Sequence, residues 1–363
     1  MRNATSRRRA VGAAGAVVAA CIAAAALADD VSSWTTVTGG PGTGCAALAT
    51  PYEFYVHPGD KRRVAIYFQG GGGCWNERNC GLTDKQTFDA TIDDADRPWL
   101  SKAATGVFDV ADARNPLREY TIVMAPYCTA DVHLGVRTGR FETADGKRVD
   151  IQYRGLANAQ GVMDWVAANH RELQSIFVTG GSAGAIPSPV FASQMARRYP
   201  AARVVQLGDG AGGYRTARIA GLFAQWGAVS ALKNDPLYRD LDPATANFED
   251  LYLRAAATPN LRLAQLNSAE DQIQVFFLGQ LGHKVTTLAP LLSGNLQQLR
   301  AANPELRTYT MPGVVHTLLR RPDFYTANVG GVALTQWLDD LLQGRAAQNV
   351  GDELLPAPAE RLQ

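Results

Sequence analysis

The chain has 363 residues, 46% hydrophobic and 19% charged, with 35 basic against 34 acidic side chains. That suits one large α/β domain with a substantial core. Four of the bases, Arg2, Arg7, Arg8 and Arg9, fall in residues 1–28, which hold no acid; the remainder carries 31 bases against 34 acids, a net −3. No basic face for nucleic acid or for a strongly anionic polymer is implied.

Residues 1–28 read as a cleavable signal peptide. The arginine-rich start precedes an apolar stretch from Ala10 to Leu27, and Ala26-Leu27-Ala28 fits a small-residue cleavage site. A secreted or periplasmic protein is expected. As a membrane span the stretch is weak, because alanine dominates it. Ser6-Arg7-Arg8 hints at a twin-arginine signal but lacks the bulky apolar follow-up, and Cys21 as a lipoprotein anchor is the minority alternative.

A Gly/Pro-rich lead over 29–50 follows. Strand-like runs fall at 52–57, 63–69, 119–126, 175–180, 203–208, 261–267 and 306–311. Helix-like runs fall at 155–171, 188–198, 247–257, 271–281, 287–302 and 331–344. Alternation of this kind implies an α/β fold with a mostly parallel central sheet and helices on both faces, spanning 29–345. Residues 211–246 interrupt the alternation and are expected to form a small cap, rich in alanine and glycine and poor in large pocket-lining side chains. The polar, proline-containing tail over 346–363 is expected to fray.

Three segments carry chemistry. Val64-Ala65-Ile66-Tyr67-Phe68 runs into Gln69-Gly70-Gly71-Gly72-Gly73-Cys74, a glycine loop of the kind that supplies oxyanion donors after a buried strand. Ser175 to Thr179 runs into Gly180-Gly181-Ser182-Ala183-Gly184, a G-x-S-x-G in strand–turn–helix context and the mark of a nucleophile elbow. Pro187 and Pro189 follow closely, so the next helix should start late or kink. A serine nucleophile needs a histidine base and a carboxylate to orient it. His57, His133 and His170 precede Ser182, whereas the α/β-hydrolase order is Ser, acid, His. His316 follows the strand 306–311 and its Pro312-Gly313 break; His283 reads as a helix-end residue. Asp271, after the strand 261–267, and Asp209, after the strand 203–208, are both feasible acids. The competing reading of Asp209 is a turn residue bonding its own loop.

These segments resemble the pectin acetylesterase/Notum family of serine esterases. The glycine loop with Cys74 and Cys80, the run Ala125-Pro126-Tyr127-Cys128-Thr129-Ala130-Asp131-Val132-His133-Leu134-Gly135, the elbow, Asn267 to Gln274 and Val315-His316 carry the resemblance, which extends from about Cys45 to His316. It implies an α/β-hydrolase-like fold with Ser182 as nucleophile, Asp271 as acid, His316 as base, and oxyanion donors from Gly71, Gly72 and Ala183. No cofactor or metal is implied. The family usually carries a tryptophan within the oxyanion loop, and here positions 72 and 73 are glycine. The loss of that wall predicts a wider mouth, and with few large side chains from 211–246 it predicts short acyl groups.

Four cysteines remain after the leader: Cys45, Cys74, Cys80 and Cys128. An even count after a signal peptide suggests disulfides, and three pairings can be drawn. Cys74 and Cys80 are near enough to staple the loop behind the oxyanion glycines, which leaves Cys45 for Cys128. The resemblance implies the same pairing. The substrate expected is an acetylated polysaccharide such as pectin, or a small ester. Trp75, Trp226, Tyr127 and Tyr214 are candidate sugar platforms, though each suits core packing equally. The alternatives are a lipid-ester or general carboxylesterase, since Notum-like members accept fatty acyl chains, and a catalytically dead binding module, which an intact Ser182, Asp271 and His316 opposes. Oligomeric state is not legible.

Overall fold

A computed structural model describes residues 34–47, 51–81, 86–93, 104–143 and 145–363. The leader expected over 1–28, with Cys21, lies outside the described residues.

The elements in chain order are the strands β1 (Thr35–Thr38), β2 (Glu53–His57), β3 (Asp60–Phe68), β4 (Tyr120–Ala125), β5 (Thr138–Glu142), β6 (Arg148–Gln152), β7 (Ser175–Gly181), β8 (Arg203–Asp209), β9 (Leu261–Ser268) and β10 (Arg307–Met311), then the pair β11 (Asn328–Val329) and β12 (Val332–Ala333). The helices are α1 (Glu77–Cys80), α2 (Gly155–Asn169), α3 (Ser188–Arg198), α4 (Ile219–Trp226), α5 (Ala228–Leu232), α6 (Phe248–Ala255), α7 (Gln272–Gln280), α8 (Ala289–Ala302) and α9 (Leu334–Gln343).

Eight strands form one sheet in the order β1-β2-β4-β3-β7-β8-β9-β10. The six strands from β4 to β10 in that order are parallel, and β2 and β1 add on antiparallel at one edge. This is an α/β-hydrolase-like fold. Successive strand residues face opposite sides. Val64, Ile66 and Phe68 of β3 pack with Ile176 and Val178 of β7 against α2 and α3. Ala65, Tyr67 and Phe177 point the other way, against Trp337, Leu338 and Leu341 of α9. Apolar side chains on both faces are what a sheet covered on both sides requires, which is why these strands read as continuous apolar runs.

Asn76 caps α1 with a reciprocal capping box, and Asp271 caps α7 by accepting from the Ile273 and Gln274 N–H groups. The expected late start of the helix after Ser182 is observed. A single 3₁₀ turn, Ser182–Gly184, precedes α3, which admits Pro189 in its first turn, where a missing N–H costs nothing.

Two expectations are corrected. The tail does not fray: the Val350 carbonyl accepts from Thr310 N, Ala359 N donates to Pro290 O, and Leu362 bonds Arg215 and Ala217 through its backbone. Buried apolar anchors such as Val350 hold a polar tail that composition alone reads as loose. Residues 211–246 are also not poor in large inward-facing side chains, since Tyr214, Ile219, Leu222 and Trp226 are all buried.

Both disulfides form as paired from the sequence, Cys45–Cys128 and Cys74–Cys80. Among the described residues no helix is long and apolar enough to cross a membrane.

Candidate active site

The parallel strands deliver their chemistry at their carboxyl ends. Ser182 follows β7 and holds φ at +54°, a left-handed conformation that costs a non-glycine residue free energy and recurs where a side chain must be thrust out of a turn. Its neighbours have to be small. A Cβ on Gly184 would come within 2.1 Å of the Phe68 carbonyl oxygen, so the elbow packs directly onto the end of β3.

His316 follows β10, and its Nδ1 lies 2.7 Å from Asp271 Oδ2. Asp271 is fully buried, and all four of its hydrogen bonds come from identified donors: Ile273 N and Gln274 N to Oδ1, His316 Nδ1 and Gln274 Nε2 to Oδ2. These donors fix the orientation of the carboxyl group toward the imidazole. Gln274 in turn accepts from Gly213 N, which ties Asp271 to the segment leading into α4. The other ring nitrogen of His316, Nε2, is buried and has no hydrogen-bond partner among the described residues. His316 and Ser182 line one recess of about 250 Å³, with Tyr67, Gly71, Gly72 and Phe277.

Asp209, the other feasible acid, does not meet His316 through a hydrogen bond. Its Oδ2 accepts from Leu318 N and Leu319 N at 2.8 and 2.9 Å, directly after His316. Burial pushes its carboxyl up to about 6, against the lowering by those two backbone donors. Thr317, between His316 and this anchor, also holds a left-handed φ of +55°.

The glycine loop stands beside the elbow. Gly72 has φ +75°, and a Cβ there would lie 1.9 Å from the Thr87 carbonyl oxygen and 2.9 Å from the ring of Phe277. No hydrogen bond engages the N–H of Gly71, Gly72 or Ala183 among the described residues. The run 127–135 cradles the loop from behind. Tyr127 donates its hydroxyl to Gly72 O and receives Val132 N, and His133 Nε2 donates to Gln69 O at 2.8 Å, which fixes its tautomer. Burial pushes the His133 imidazole down to about 4, so it stays neutral. Asp131 anchors the same run by accepting from Thr129 Oγ1, His133 N and Gly155 N. Ala130, Val132 and His133 all hold positive φ; for β-branched Val132 that is a genuine strain, sustained by this network.

A second recess, largely apolar, also reaches Ser182 and shares Gly72 and Phe277 with the first. Its walls include Trp75, Val132, Leu222, Trp226 and Phe277. The wall expected to be missing beside Gly72 is therefore supplied by Phe277 of α7 and Trp75. Sequence reasoning missed Phe277, because nothing in its local pattern distinguishes it from a core residue.

Of the four candidate platforms, three take the core-packing alternative. Trp226 is buried and donates Nε1 to Cys74 O, Tyr127 and Tyr214 are buried, and Trp75 lies half-buried in the inner recess. His283 lies past the end of α7, 2.7 Å from Thr216 Oγ1, and His170 caps α2.

A family model described as pectinacetylesterase matches residues 46–219, which take in the glycine loop, the tyrosine–cysteine run and the elbow. No curated protein matches the chain.

Proposed function

We propose that this chain, whose residues 46–219 match the pectinacetylesterase family model, is an exported serine esterase acting on O-acetyl groups of a polysaccharide. Ser182 Oγ attacks the ester carbonyl while His316 Nε2 takes its proton. Asp271 holds the imidazole in the tautomer with Nδ1–H and stabilises the imidazolium. The N–H groups of Gly71, Gly72 and Ala183 receive the oxyanion. The alcohol leaves with the proton from His316, and water, deprotonated by the same ring, hydrolyses the acyl-enzyme. The observation that carries this reading is the His316 Nδ1 to Asp271 Oδ2 contact of 2.7 Å beside a serine held at positive φ. Export is supported by the leader in the sequence and by two disulfides, which persist in oxidising compartments.

The test is hydrolysis of p-nitrophenyl acetate and release of acetate from an acetylated polysaccharide. Ser182→Ala fits the elbow sterically and should lower kcat by about 10⁶, with the fold intact. Asp271→Asn should lower it by about 10⁴, because the wrong tautomer is held. Near-normal turnover by either variant, with unchanged circular dichroism, sinks the reading.

A second reading, an ester of longer acyl chain, rests on the apolar lining of the recess beside Ser182, where Trp75, Val132, Leu222, Trp226 and Phe277 meet. Each methylene buried there contributes about 0.8 kcal/mol, close to fourfold in kcat/KM. Rising kcat/KM from acetyl to octanoyl p-nitrophenyl esters favours this reading; a fall beyond butyryl favours acetate.

A further inference from the structure

Four large apolar side chains stand exposed among the described residues, and three of them, Ile273 (40%), Phe276 (47%) and Val314 (54%), gather at one place. Ile273 and Phe276 are three apart on α7 and share a face. Val314 joins them, because its carbonyl accepts from Gln272 N at the start of the same helix. Ile273 and Phe277 also line the recess that holds Ser182 and His316. The patch is thus continuous with the opening through which the alcohol half of an ester must lie. Phe276 and Phe277 meet edge to face, centroids 5.2 Å apart, so the outer ring is braced by the inner one.

Among the described residues that line this recess none is Lys, Arg, Asp or Glu. The runs Gln69–Cys74, Gln272–Gln280 and Met311–Leu319 contain neither Lys, Arg, Asp nor Glu. Arg320 interacts with the hydroxyl of Tyr67, which lines the recess. A polyuronate presents a carboxylate on nearly every sugar, and recognising it calls for several cations in bidentate or point contact. A neutral sugar presents C–H faces that pack on aromatic and aliphatic side chains.

We infer that the Ile273, Phe276 and Val314 patch is a docking platform for the chain of an uncharged acetylated glycan, which makes this enzyme a deacetylase of neutral polysaccharide. The inference rests on Ser182 acting as the esterase nucleophile.

The test compares kcat/KM on an acetylated neutral oligosaccharide, such as acetylated xylo-oligosaccharides, with that on acetylated oligogalacturonate of equal length, each divided by kcat/KM on p-nitrophenyl acetate. Phe276→Ser removes an exposed ring and leaves the core unchanged; Arg320→Gln removes the nearby cation. The neutral glycan should be preferred, and Phe276→Ser should lower its ratio about tenfold through KM, the scale expected from uncovering half a phenyl face. Arg320→Gln should leave the preference in place. Preference for oligogalacturonate, weakened by salt and by Arg320→Gln, overturns the inference. So does a ratio that Phe276→Ser leaves unchanged, or capture by phosphatidylcholine vesicles that only Phe276→Ser abolishes, which would make the patch a lipid-docking surface. Hydrolysis of p-nitrophenyl acetate with neither glycan cleaved sinks the platform and spares the esterase; failure on all three substrates sinks both.

Discussion

Asp209 and Asp271 are both buried aspartates at the ends of neighbouring strands, and their partners separate them. Asp271 faces an imidazole, and Asp209 faces two backbone N–H groups of the loop that carries the imidazole. Asp209 therefore positions His316 through the chain. Its carboxyl is raised from 3.8 to about 6 by burial. A raised carboxyl binds its proton more tightly in the folded state than in the unfolded one, so its contribution to stability is full below about 4 and is lost as pH rises through about 6. Asparagine keeps an acceptor for the loop and cannot ionise. The melting temperature of Asp209→Asn, measured relative to the parent, should rise as pH goes from 4 to 7. A difference that stays flat across that window would show that Asp209 does not titrate there. Strand-end position is common to both aspartates, so it was the family resemblance that singled out Asp271; in the fold the distinction is which donors come within reach, and that depends on the loop 316–319 folding back.

At the scale of elements, the apolar parallel strands and the long helices were legible, because two-sided burial leaves a continuous apolar run and capping leaves polar markers. α3 starts at Ser188, where the two prolines placed it. β1 and the β5–β6 hairpin were not legible. β1 is an exposed threonine edge, and β5 buries little beyond Phe141, so neither leaves an apolar signature. The disulfides act on different elements. Cys45–Cys128 closes a separation of 83 residues and Cys74–Cys80 one of 6. Loop-closure entropy gives about 4.5 kcal/mol for the long bridge and about 2.2 for the short one. The short bridge sits beside the oxyanion loop, and the Cys74 carbonyl receives both Trp226 Nε1 and the Tyr153 hydroxyl. Cys74→Ser with Cys80→Ser should lower kcat with a small change in melting temperature, whereas Cys45→Ser with Cys128→Ser should lower the melting temperature more and leave kcat nearer the parent. Equal effects of the two pairs on both readouts would contradict this division.

Across the whole molecule, chain segments far apart in sequence build the site together. The C-terminal segment is part of that assembly. Leu362 pairs with Arg215 and Ala217, and Arg361 lies 3.5 Å from buried Glu249, so the last residues strap the run that carries Tyr214 into the apolar recess beside Ser182. Removal of residues 356–363 should lower thermal stability and change acyl-chain selectivity together; a truncated protein with unaltered selectivity would limit the strap to stability. Composition read this segment as loose because its anchors are few and separated by prolines. The central claim is that Ser182 forms the acyl-enzyme with His316 as its base. The most direct measurement is intact mass after treatment with a p-nitrophenyl alkylphosphonate, followed by peptide mapping. One phosphonyl adduct per chain is expected, located on Ser182, absent from Ser182→Ala and formed at a strongly reduced rate in His316→Ala. An adduct mapped to another residue, or unchanged labelling of Ser182→Ala, would contradict it.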